Sequence, residues 1–76
     1  MGRPSLVQAV ELRVTGRERD VLELLAEGLR QEQIASRLGI GSETVRTHVH
    51  NACERLGAAT ATHAVAIAIR EGLIAV

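Results

Sequence analysis

The side chains best suited to chemistry in this sequence lie between positions 43 and 55. Glu43, Arg46, Thr47, His50, Asn51 and Glu54 fall on one side of a helical projection, and Val45, Val49, Ala52 and Leu56 fall on the other, at i, i+4, i+7 and i+11. Arg, Asn, Thr and His can hydrogen-bond base edges and phosphates. The polar side therefore fits a nucleic-acid contact surface, and it equally fits a solvated helix face. His50 and Cys53 share a side, but His48 points elsewhere and a fourth ligand is missing, which speaks against a zinc site. His48, at the edge of the apolar stripe, reads as a half-buried packing residue, and Cys53 as a small, partly buried, inert one. No Ser–His–Asp arrangement, paired carboxylates or Gly-rich phosphate loop occurs, and 76 residues are too few to enclose a usual active-site pocket. Neither an enzyme nor a metal or cofactor is expected.

The elements that must position these side chains are legible from caps and periodicity. Thr15 followed by Glu18 fits a capping box, after which Val21, Leu22, Leu24 and Leu25 make one apolar face, and Gly28 sits where a left-handed C-terminal residue belongs. A second, short helix is predicted over about Gln31–Leu38, with Ile34, Ala35 and Leu38 inward; Arg30 cannot accept its orphan N–H groups, so its start is poorly capped. The third helix is predicted over about Ser42–Leu56, stopped by Gly57. The stretch Ala64–Ile69 alternates small and β-branched residues, which is also a strand pattern; its alanines, Thr60 or Thr62 as a cap and Gly72 as a stop favour a fourth helix. Between the second and third helices, Ala35 lies four residues before Gly39 and Val45 six after it. That is the spacing of a helix-turn-helix: a small residue where the helices cross, a turn with φ > 0, and Ile40 and Val45 plugging the angle between them. The fold class expected is all-α, a four-helix helix-turn-helix domain whose third helix carries the contact surface. Residues 1–12, which hold the only proline, Pro4, read as a tail or linker end with a helical stretch around Ser5 to Leu12; residues 13–76 read as the domain.

Composition narrows the function. Hydrophobic residues make up 46% and charged residues 24%, as in a globular chain, and aromatic content is 0%, which excludes the stacking platforms that bind single-stranded nucleic acid. Nine basic residues, all of them Arg, balance nine acidic ones. A net charge of zero excludes a non-specific basic coat, so any DNA binding must come from a few well-placed arginines. One cysteine allows no internal disulfide, no apolar run is long enough to span a bilayer, and the N-terminus lacks the pattern of a signal peptide. A soluble, cytoplasmic protein without a membrane partner is expected, and so small a core makes a dimer a reasonable expectation.

The residues also resemble a known family. Val14–Gly28 resembles the opening of the LuxR-type (GerE-like) DNA-binding domain, as does Gln33–Ile40; Thr44–Val49 followed by Arg55-Leu-Gly57 resembles its recognition helix and exit, and Ala64-Val65 with Glu71–Ile74 its last helix. The resemblance covers about Leu12 to Ile74. It implies an output domain of transcriptional regulators, including response regulators, that binds double-stranded DNA with its third helix in the major groove. Base contacts are implied for Arg46, Thr47, His50 and Asn51. Phosphate contacts are implied for Thr44 and Arg55 and for the start of the second helix, at Arg30 and Gln31. The resemblance also implies a dimer contact through the fourth helix, and RNA polymerase as a further partner. Gly41 stands where the family usually has a capping Ser, Arg30 replaces a small polar cap, Arg55 a common Lys, and Ala61 a frequent Arg; His50 is a weaker donor than a Lys or Arg there.

A helical projection of the last helix turns Ala61, Ala64, Val65 and Ala68 to the core and His63, Ala66, Ile67 and Arg70 outward. An outward Ile67 beside Ala66 would form a small dimer patch, completed on DNA by two half-sites about ten base pairs apart. The rival reading is a protein-interaction module that uses the helix-turn-helix as a docking scaffold without DNA binding. Zero net charge favours it; the polar face of the third helix, with no large apolar anchor, disfavours it.

Overall fold

A computed structural model describes residues 14–75; the tail read over residues 1–12, with its helical stretch, lies outside the described residues. Among the described residues the chain forms four helices and no strand: α1 (Gly16–Ala26), α2 (Gln31–Leu38), α3 (Ser42–Leu56) and α4 (Ala61–Arg70).

Each helix begins and ends on local chemistry. At α1 the capping box forms in full: the Glu18 N–H donates to Thr15 Oγ1 at 3.1 Å, and the Thr15 N–H donates to Glu18 Oε1 at 3.0 Å. At α2 the cap is one-sided. Arg30 offers no acceptor, but Gln33 Oε1 reaches back to accept from the Arg30 N–H at 2.8 Å, so the start is better satisfied than Arg30 alone predicts. Thr60 caps α4 by accepting from the His63 N–H at 3.0 Å. Together with the run of alanines, this cap decides helix over strand for the alternating stretch. The turn between α2 and α3 needs Gly39, whose φ of 70° lies in the left-handed region and lets the Ile40 N–H bond back to the Ala35 carbonyl at 3.0 Å. The other three helices close with the same bond, Leu29 to Leu24, Ala58 to Cys53 and Leu73 to Ala68.

Packing centres on α3, which touches all three other helices, whereas α2 and α4 do not touch each other. Val45, Val49, Ala52 and Leu56 are all buried, as their spacing predicts. They divide between two clusters. Val45 and Val49 pack with Val21, Leu24, Ile34 and Ala35 under the helix-turn-helix, while Ala52 and Leu56 pack with Val14, Leu22 and the α4 side. Leu25 and Cys53 pack against both clusters. The core is aliphatic throughout, so its cohesion rests on close fit of small side chains.

The rotation of α4 differs from the helical projection. Ile67 is 7% exposed and belongs to the core with Ala64 and Ala68, whereas Val65 is only partly buried and Ile69 is the outward isoleucine at 38%. The reason is volume. A stripe of alanines and one valine would underfill the space beside Leu22 and Leu56, and burying an isoleucine contributes about 1.5–3 kcal/mol. Ile67 is therefore no part of a surface patch. His63, Ala66 and Arg70 are exposed as expected.

Candidate nucleic-acid interface

Burying one side of α3 leaves the other in water. Glu43, Thr44, Arg46, Thr47, His50 and Glu54 are exposed, while Asn51 and His48 are half-buried at the margins. Because α3 is held by three neighbours along its inner side, this polar surface sits on a rigid element, the arrangement that precise recognition needs.

Several of these side chains are already engaged. The Thr47 hydroxyl donates to the Glu43 carbonyl at 3.1 Å. His50 Nε2 lies 3.6 Å from a Glu54 carboxylate oxygen, an exposed i, i+4 contact of small energetic weight. Asn51, Glu54 and Arg55 line one shallow depression, so the marginal Asn51 stands next to a cation. At α2, Arg30 is exposed and Gln31 half-buried. Gly41 opens α3 without a side-chain cap, leaving the N–H groups of its first turn without that partner.

The residue that sequence reasoning misses is Glu18. Beyond its role in the cap, its carboxylate receives Arg55 Nε at 3.0 Å on Oε1 and 3.2 Å on Oε2, across 37 residues. The Glu18 side chain is 2% exposed and that of Arg55 47%. The pair ties the start of α1 to the last turn of α3 and fixes the stem of a residue expected to meet phosphate. Only the capping motif made Glu18 legible; nothing local signals its distant partner.

Cys53 lies on the inner margin of α3, where burial pushes its thiol above the ordinary value of 9.0. A thiol held protonated is a poor nucleophile and metal ligand. No group of three or more His, Cys, Asp or Glu among the described residues is placed to hold a metal ion. His63, expected at a dimer contact, uses Nδ1 to accept from the Ala59 N–H at 3.1 Å, tying it to the start of α4.

Comparison with known proteins agrees with this geometry. The family described as "Bacterial regulatory proteins, luxR family" matches residues 13–68. The chain is 42% identical over 59 residues to the spore germination protein GerE of Bacillus subtilis (strain 168), covering 78% of this chain and 80% of that protein. It is 45% identical over 60 residues to the uncharacterized transcriptional regulatory protein YxjL of the same strain, covering 79% of this chain but 28% of YxjL. A solved structure of the transcription factor GerE superposes with a TM-score of 0.79 at 32% identity, covering 83% of this chain and 94% of that one. The chain thus spans most of GerE and about a quarter of YxjL. With the helix-turn-helix, the exposed polar side of α3 and these matches in agreement, the chain belongs to the luxR family of bacterial regulatory proteins.

Proposed function

We propose that this chain binds double-stranded DNA in a sequence-specific manner and regulates transcription, with α3 lying in the major groove. The observation that carries the reading is the division of α3: four apolar residues locked into the core and a continuous polar side, including Arg46, Thr47 and His50, presented outward on a helix-turn-helix. That outward side lacks the apolar anchors a protein-docking helix would show. Arg46, Thr47, His50 and Asn51 meet base edges. Thr44, Arg55, Arg30 and Gln31 meet the backbone.

Two copies meet on DNA through α4. The contact side comprises His63, Ala66 and Arg70, with the exposed Ile69, rather than the buried Ile67, as its large apolar member. So small a patch needs paired half-sites to supply effective concentration. The protein works in the cytoplasm as the output domain of a regulator, a response regulator being one form, and RNA polymerase is its second partner. No helix among the described residues is long and apolar enough to cross a membrane.

The test is selection from a random duplex library, followed by fluorescence anisotropy on the enriched sequence and a scrambled control. Enrichment of a defined motif, bound at least a hundredfold more tightly than the control, is expected, since specific binding exceeds non-specific by about 10³ or more. Equal affinity for both duplexes would sink the reading.

A further inference from the structure

The centre of the outward side of α3 is acidic. At about 100° per residue, Glu43, Thr47, His50 and Glu54 fall within about 60° of one another, with Arg46 to one side and Asn51 to the other. Glu43 stands in the first turn, the part of a recognition helix that meets base edges. Its carboxylate is exposed and makes no hydrogen bond or ion pair among the described residues. One turn on, the Thr47 hydroxyl donates to the Glu43 carbonyl at 3.1 Å, and in that arrangement Oγ1 meets a further partner as an acceptor. Two adjacent acceptors, one of them anionic, cannot favour phosphate oxygens, guanine N7 and O6 or thymine O4. In the major groove only the exocyclic amino groups of cytosine and adenine donate. Adenine's amino group lies between two acceptors, its own N7 and the O4 of the paired thymine, which repel a carboxylate, whereas cytosine's N4 amino group has an acceptor on one side only, the O6 of the paired guanine.

We propose that Glu43 is a specificity determinant that accepts from the N4 amino group of a cytosine in the half-site, with Thr47 as an accepting neighbour reading the adjacent base pair. This rests on α3 lying in the major groove. The carboxylate adds selectivity by exclusion: it repels every base edge that offers only acceptors, and it lowers overall affinity through the phosphates.

The experiment is duplex selection on the full 76-residue chain and its variants E43Q, E43A and T47V, each checked for helix content by circular dichroism. Wild type is expected to select cytosine at one position. E43A is expected to lose about tenfold discrimination there while keeping the base pair read by Arg46. E43Q is expected to shift that position toward adenine, because an amide donates to N7 while accepting from N6. T47V, which keeps the methyl group and removes the acceptor, is expected to relax the neighbouring base pair. A purely structural role for Glu43 at the positive end of the helix would change stability and leave the motif as it was. An E43A motif identical to wild type overturns the assignment of Glu43 alone, and an unchanged T47V motif overturns that of Thr47. Absence of any enriched motif for wild type overturns the groove reading and this inference with it.

Discussion

Removing either partner of the Glu18–Arg55 pair should loosen the attachment of α3 to α1 by an amount the geometry bounds. Unit charges 3.0 Å apart attract by about 5 kcal/mol at an effective dielectric of about 20. Desolvating the carboxylate offsets several kcal/mol of that, and the half-exposed guanidinium is screened by water, which reduces the gain further. Glu18→Gln retains an oxygen for the Thr15 N–H and so keeps the cap; the expected cost is about 1–2 kcal/mol. Arg55→Ala strands a carboxylate whose other partner among the described residues is the Thr15 N–H. Breaking a fully buried pair typically costs about 3–5 kcal/mol; with Arg55 47% exposed, water can reach the vacated site and about 2–3 kcal/mol is expected. In the Glu18→Gln background the same Arg55→Ala change should cost about 1 kcal/mol, giving a coupling of about 1–2 kcal/mol. The assay is urea unfolding of wild type, both single variants and the double variant, followed by far-ultraviolet circular dichroism. For a domain of this size, Arg55→Ala should also lower Tm by about 10–20 °C. Additivity of the two single changes within about 0.5 kcal/mol would refute the pair as a link between the helices.

On DNA, Arg46→Ala should cost about 1–3 kcal/mol and relax preference at one base pair, whereas Arg55→Ala should weaken all sequences about equally; the same uniform loss from both would make Arg46 a backbone contact. Ile67→Ala should cost about 2–5 kcal/mol in chemical unfolding because it opens a cavity beside Leu22 and Leu56, while Ile69→Ala should stay within about 0.5 kcal/mol; equal costs would contradict the rotation of α4. Cys53 should react with a disulfide reagent more slowly than a free thiol at pH 8. Its folded-state thiol is held protonated above its unfolded value of 9.0, so the stability it contributes is present below that pH and lost as pH rises toward the folded value; a Cys53→Ala variant should show a shallower alkaline decline.

Most of what positions the interface could be read from the chain because it is encoded within one or two turns. Thr15 and Glu18 announce α1 by bonds between residues three apart, and the stripe Val45, Val49, Ala52, Leu56 sets which side of α3 faces water without reference to any other element. Gly39 marks the turn because few other residues adopt its backbone angle. Resemblance to the LuxR-type domain points to Arg46, Thr47 and His50, and periodicity alone places them outward. Two features needed the assembled structure, and a third, inside α3, needed the side-chain rotamer. The rotation of α4 is set by the volume left between α1 and α3, a property of three helices together, so a projection of one helix turned Ile67 the wrong way. The partnership of Glu18 with Arg55 joins residues 37 apart that share a neighbourhood only once α1 and α3 cross. The engagement of the Thr47 proton by the Glu43 carbonyl depends on a rotamer that residue identity leaves open. Local hydrogen bonding and periodicity determine which elements form and which side of each is apolar; the fit of volumes and charges between elements decides how far each one turns and which polar atoms remain for a partner.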